Sequence, residues 1–280
     1  MTGRQNVNGG GNEQFGSRPV HRLLFVVCGV VCLTPSLLLG QIQDNSFLVE
    51  EAYNQERGVV QHINTFQHSS GNWAYGFTQE WPLGGIGHQL SYTIPVERTS
   101  DNGAGVGDIG LNYRYQLLGS PETSTVVVGR FTLLLPTGDE DAGTGAGGVG
   151  LQAALPVTVV VDRHVATHWN VGATLVPSAG IASGPKETAA SFNLGASAVW
   201  LVQPALNFLV EAVWSSTEEV GAGGSIRQET AYLNPGVRFA LDLGDLQVVP
   251  GFAYTIGLNE AAGGDGLFVY LSFEHPFQRQ

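Results

Sequence analysis

The sequence predicts an all-β fold: an antiparallel, up-and-down transmembrane β-barrel of about twelve strands, preceded by a cleavable signal peptide. Three observations predict it. Runs of nine to twelve residues alternate bulky apolar with small or polar side chains, connections between runs alternate short with long, and charges keep to one of the two faces. The cleanest run interleaves Ile109, Leu111, Tyr113, Tyr115 and Leu117 with Gly110, Asn112, Arg114 and Gln116. Successive strand side chains point to opposite faces, so this segment has one apolar, aromatic face and one wet face carrying an arginine.

At the N-terminus, polar residues 1–22 end in Arg18, His21 and Arg22, and Leu23 to Leu33 is an unbroken apolar run. Thr34-Pro35-Ser36 interrupts it before Leu37-Leu38-Leu39-Gly40-Gln41. That order of basic, apolar and small residues marks 1–40 as a secretory signal. The alternative is an uncleaved inner-membrane helix, disfavoured by Pro35 in a stretch near the lower limit for spanning. A lipoprotein reading is weaker, since Val27 and Val31 rather than small residues precede Cys28 and Cys32. Cleavage near Gly40 removes both cysteines, which excludes disulfides, thiol chemistry and cysteine metal sites. Residues 41–56 do not alternate and predict a short periplasmic segment in which Ser46 caps a helix over Phe47 to Asn54.

The barrel then occupies 57–280. Its strands are expected at 57–67, 72–82, 86–95, 107–118, 124–136, 149–161, 164–176, 190–202, 205–215, 229–242, 246–256 and 266–275, each close to the nine to eleven residues a tilted strand needs to cross a bilayer. Pro82 to Gly85, Gly119 to Thr123, Asp162-Arg163, Gln203-Pro204 and Leu243 to Asp245 are tight, whereas 96–106, 137–148, 177–189, 216–228 and 257–265 are long. Outer-membrane barrels keep short turns periplasmic and long loops outside. A soluble sandwich has no reason to alternate in this way.

Glu80, Arg114, Arg130, Glu211 and Arg238 share the face of Gly76, Asn112, Thr132, Asn207 and Gly236. None falls on the face of Trp73, Phe77, Tyr113, Phe131, Phe208, Trp214 or Phe239. An arginine on the lipid face at mid-depth costs about 2–4 kcal/mol, so lipid lies outside and water or polar groups inside. These five residues, with His168 beside Trp169, are the expected lumen-lining set. They either line a water path and set charge preference, or form a salt-bridged network that fills the lumen. Trp73, Trp81, Tyr92, Tyr113, Tyr115, Trp169, Trp200, Trp214 and Tyr254 suit interfacial girdles. Pro156, Pro235 and Pro250 lie inside expected strands and predict rims or bulges, and Gln79 breaks parity between Phe77 and Trp81.

Of the 280 residues, 43% are hydrophobic, 13% are charged and 39 are glycine, a composition for many strands joined by turns. The chain carries −12 overall, and removing the three arginines and one glutamate of residues 1–40 leaves 9 basic against 23 acidic side chains, or −14. Such a charge repels phosphates and excludes nucleic acid as a partner. The expected partners are outer-membrane lipid, the barrel-assembly machinery and a small solute; no cofactor or metal is expected.

Several stretches together resemble a family of bacterial outer-membrane proteins associated with the meta-pathway of phenol degradation. They are Gly58-Val59-Val60-Gln61-His62, Phe77-Thr78-Gln79-Glu80-Trp81-Pro82, His88-Gln89-Leu90-Ser91-Tyr92-Thr93, Gly107 to Tyr115, Leu133-Leu134-Leu135-Pro136-Thr137-Gly138-Asp139 and Leu271 to Phe277. The likeness spans most of 44–277. It implies an outer-membrane barrel and passage of a small molecule; it supplies no catalytic or binding motif and no substrate. A small hydrophobic or aromatic molecule is the expected solute.

Three motifs invite other readings. His68 and Ser70, in His68-Ser69-Ser70-Gly71-Asn72, have the spacing of a lipolytic outer-membrane pair, though Ser, Gly and Asn are also what a hairpin turn selects. Asp139-Glu140-Asp141 fails the calcium-loop pattern, because Gly143 and Thr144 occupy the fifth and sixth positions. Gly143-Thr144-Gly145-Ala146-Gly147-Gly148 matches a dinucleotide string but precedes a strand rather than a helix. The sequence therefore reads as a non-enzymatic channel, with a structural barrel of plugged lumen as the alternative and lipolysis behind both.

Overall fold

The computed structural model describes residues 45–98, 103–181, 184–221 and 223–277; the expected signal peptide, 1–40, lies outside them. The strands are β1 (Val59–Ser69), β2 (Asn72–Pro82), β3 (His88–Arg98), β4 (Ala104–Val106), β5 (Ile109–Leu118), β6 (Thr125–Leu135) and β7 (Gly150–Asp162), followed by β8 (Val165–Ala179), β9 (Glu187–Gln203), β10 (Leu206–Gly221), β11 (Gly224–Phe239), β12 (Leu241–Leu243), β13 (Leu246–Gly257) and β14 (Gly266–Pro276). Apart from the three-residue β4 and β12, the other twelve form a closed antiparallel barrel. Each long strand pairs with the next, β3 with β5 and β11 with β13, and β1 closes the ring against β14.

The faces separate by chemistry. Gln89, Asn112, Thr132, Thr158, Asn207 and Asn234 are buried inside, while Phe131, Leu151, Trp169 and Val171 are half or more exposed. That inversion of a soluble protein's distribution is what lipid outside and polar groups inside require. At the periplasmic rim, Trp81 lies 5.8 Å from Tyr92 and His88 5.0 Å from Tyr115, ring centre to ring centre. Gln79 belongs to this belt. It hydrogen-bonds His62 Nε2 at 2.7 Å and accepts from the Tyr92 hydroxyl at 2.7 Å, so its outward amide is paired.

The prolines sit where ladders break. Pairing between β6 and β7 skips 128–129 against 155–156, at Pro156, and pairing between β11 and β13 skips 234–235, at Pro235. Pro250 marks the place where β13 passes from β11 to β12.

Two expectations change. The loop expected at 216–228 is largely strand and the one expected at 177–189 is strand at both ends, since β8 to β11 run 15, 17, 16 and 16 residues and project past the bilayer on the extracellular side. The first extracellular connection is only Ser70-Gly71, both at positive φ (50° and 85°), the geometry of a tight hairpin that matches strand twist. Outer connections are therefore not uniformly long.

Candidate functional site

Residues 45–56 form no helix, and the expected periplasmic segment is instead an irregular stretch inside the barrel. It has no strand partner, so its backbone N–H groups must find acceptors elsewhere. They find wall side chains. Phe47, Leu48 and Val49 donate to one oxygen of Glu211, at 3.0, 2.7 and 2.9 Å. The other Glu211 oxygen accepts from Asn234 at 2.7 Å, and Asn234 accepts from the Thr255 hydroxyl at 2.8 Å. Glu50 is read like a strand residue by the Asn170 amide: its N–H donates at 2.6 Å and its carbonyl accepts at 2.8 Å. Ala52 N–H donates to Thr158 at 2.8 Å and Gln55 N–H to Gln89 at 2.6 Å.

The arginines complete the clamp. Arg238 donates to the Asn45 carbonyl and lies 5.2 Å from the centre of the Tyr270 ring. Arg114 donates to the Glu51 carbonyl, and Arg130 pairs with the Glu50 carboxylate and with Gln152. Phe47 is the segment's apolar anchor. Its ring centre lies 5.3 and 5.4 Å from Phe268 and Tyr270, and a Cβ at Gly236 or Gly251 would come within 2.7 or 2.6 Å of it. Those two glycines make the socket.

All six expected lumen residues are on the inner face. Five bear on the segment: Glu211, Arg114, Arg130 and Arg238 touch it directly, and the buried His168 hydrogen-bonds Thr158 at 2.9 Å behind the Ala52 contact. Glu80 lines a polar cavity of about 190 Å³ between the segment and the β1–β5 wall, with Thr65, Thr78, Ser91, Thr93 and Asn112. Among the described residues no ion pair joins the arginines to Glu80 or Glu211, so the network expected within the wall runs from the wall to the N-terminal segment.

Ser70 does not meet His68. Its hydroxyl donates to the Gly263 carbonyl, and no hydrogen bond between the two residues occurs among those described. Asp139 caps its own turn, accepting from Asp141 and Ala142 at 2.9 and 3.0 Å, and no metal-type cluster occurs among the described residues.

The chain matches no protein-family model and no curated protein. Among solved structures it is similar to the COG4313 outer membrane channel from Pseudomonas putida F1, with 13% identity over 80% of this chain and 97% of that one and a TM-score of 0.56. It is also similar to the NanC porin (7% identity, 77% and 98% coverage, TM-score 0.53) and the KdgM porin (7%, 78% and 99%, 0.50). At such identities the likeness is one of fold: the chain is an outer-membrane β-barrel.

Proposed function

We propose that the protein is a passive channel for small solutes whose bore is set by its own N-terminal segment. The carrying observation is asymmetry. Most of the segment's backbone N–H bonds go to Asn170, Thr158 and Glu211 on β7, β8 and β10, while the cavity beside Glu80 stays open against β1–β5. That remaining space is polar and of mixed charge, suited to water and small ions. Larger solutes, including the hydrophobic or aromatic molecules expected from the sequence, require the segment to move. The barrel encloses residues 45–56 in addition to its wall side chains, which supports a passage once the segment moves.

Planar-bilayer recording and liposome swelling test this. The wild type should show a small conductance, and deletion of residues 45–56 a larger one together with solute uptake. Absence of conductance and uptake in both proteins would overturn the channel. The close pairing of the segment favours a second reading, a structural barrel with a permanent plug, for which the wild type conducts nothing and only the deletion does.

A further inference from the structure

The extracellular mouth holds a second cavity, of about 460 Å³, unlike the polar one below it. Its inner wall is apolar: Leu134 lines it, and Val176 and Ala189 are buried with Ala179 against Ala146 and Val220. Apolar side chains left facing open space in the lumen favour an apolar occupant. One level down, Thr174, Ser191 and Thr217 stand directly opposite one another across β8, β9 and β10. Thr174 takes a hydrogen bond from Gln152 at 2.9 Å, whereas the Ser191 and Thr217 hydroxyls make none among the described residues and remain available. The roof is the loop between β6 and β7. Asp108 holds it by accepting from Gly138 and Ala146 at 3.0 and 2.8 Å, and Lys186 by pairing with Glu140 at 3.5 Å while donating to the Gly180 carbonyl at 2.9 Å. Glu140 and Glu218, paired with Lys186 and Arg227 at 3.5 and 3.3 Å, and Glu219 edge the cavity.

We propose that this cavity binds a small, uncharged, mostly apolar molecule carrying one hydroxyl group. The apolar body lies against Leu134, Val176 and Ala189, and the hydroxyl reaches Ser191 and Thr217. The apolar wall, against which an unpaired charge is costly to desolvate, and the Glu219 carboxylate turn anions away. The proposal rests on the channel reading, for which it names the solute class first met at the mouth.

The full-length protein in lipid nanodiscs, with valine methyls labelled, is titrated by NMR with cyclohexanol, methylcyclohexane and cyclohexanecarboxylate, three probes of one shape. Cyclohexanol should give saturable shifts at Val176 and Val220, the carboxylate much weaker ones. Ser191→Ala and Thr217→Val should each weaken cyclohexanol about three- to tenfold, the value of one neutral hydrogen bond, and leave methylcyclohexane unchanged. Equal shifts from all three probes, no shift at these methyls, or indifference of cyclohexanol to both substitutions would overturn the site. Binding needs no permeation. Binding without conductance would sink the channel alone, and conductance without binding would sink this site alone.

Discussion

Glu211→Ala is the sharpest perturbation of the N-terminal segment. In the wild type one carboxylate oxygen accepts three consecutive backbone N–H groups at 2.7–3.0 Å. Hydrogen bonds to a charged group contribute about 1.5–3 kcal/mol each, so the low end for three gives about 4–5 kcal/mol. Water entering the vacated volume restores one or two of these bonds, leaving a net loosening of about 2–3 kcal/mol. At about 1.4 kcal/mol per factor of ten, local opening becomes roughly 30- to 150-fold more populated. Amide hydrogen exchange reads this directly, since opening free energies differ from segment to segment. The amides of Phe47, Leu48 and Val49 should exchange faster by that factor, while those of Thr132 and Leu209 in the wall keep their protection. Glu211→Gln keeps the shape and a neutral acceptor, and should fall between the two. Unchanged protection at 47–49 in a folded Glu211→Ala barrel would refute the clamp, and equal loss of protection in the wall would show that Glu211 holds the barrel rather than the segment.

Three further outcomes follow from the same geometry. Gly251→Ala places a Cβ 2.6 Å from the Phe47 ring; overpacking of this kind costs about 1–3 kcal/mol, so the ring should leave its socket and conductance rise while the barrel still migrates as folded. Arg130→Gln removes the cation paired with Glu50, leaving Arg114 4.0 Å from that carboxylate; the reversal potential in a salt gradient should move toward cation preference, and an unmoved potential with intact conductance would count against ions passing beside Glu50. Phe131→Arg puts a charge on a position 60% exposed to lipid and should lower folding stability by about 2–4 kcal/mol in a urea titration into bilayers, whereas a loss below 0.5 kcal/mol would place Phe131 away from the hydrocarbon.

The barrel was legible because lipid enforces parity. From Leu111 to Leu271 the outward positions must be apolar, and a period of two survives every local irregularity. Parity fails where lipid ends. Beyond the bilayer neither face of the β10–β11 hairpin needs to be apolar, so 216–228 reads as loop although Ser216 to Gly221 and Gly224 to Gln228 are ladder-paired. The N-terminal segment was hidden for a different reason. Its hydrogen-bond partners lie 106 to 164 residues away for Ala52 and Phe47, and they are side chains rather than a strand, so no local pattern reports them. The signal that existed was the density of polar groups on the inner wall: Asn170, Thr158, Gln89, Asn234 and Glu211 offer acceptors, and the amides with Arg114, Arg130 and Arg238 offer donors. Such a wall suits an irregular backbone, which brings one N–H and one C=O per residue for it to answer.

The chemistry of that clamp also bears on whether the segment moves. Phe47 sinks its ring into a fitted socket, Val49 is buried against Gly195, Ala52 and Tyr53 pack on Val126 and Val128, and the rest of the attachment is polar. Polar contacts exchange readily for water, with a net value of about 0.5–1.5 kcal/mol each, and every wall group freed by departure of the segment lies in a lumen that water can fill. A dry, aliphatic plug would have to expose its whole apolar area in order to leave. The wall here keeps its own ladder of hydrogen bonds between neighbouring strands without help from the segment. Displacement therefore costs the packing of Phe47, Val49 and Ala52, the Glu211 clamp, the half-buried Arg130–Glu50 pair and the hydrogen bonds from Asn170, Thr158, Gln89, Arg114 and Arg238. Weakening any one of these should raise the open population without unfolding the barrel, which separates a movable segment from a structural core.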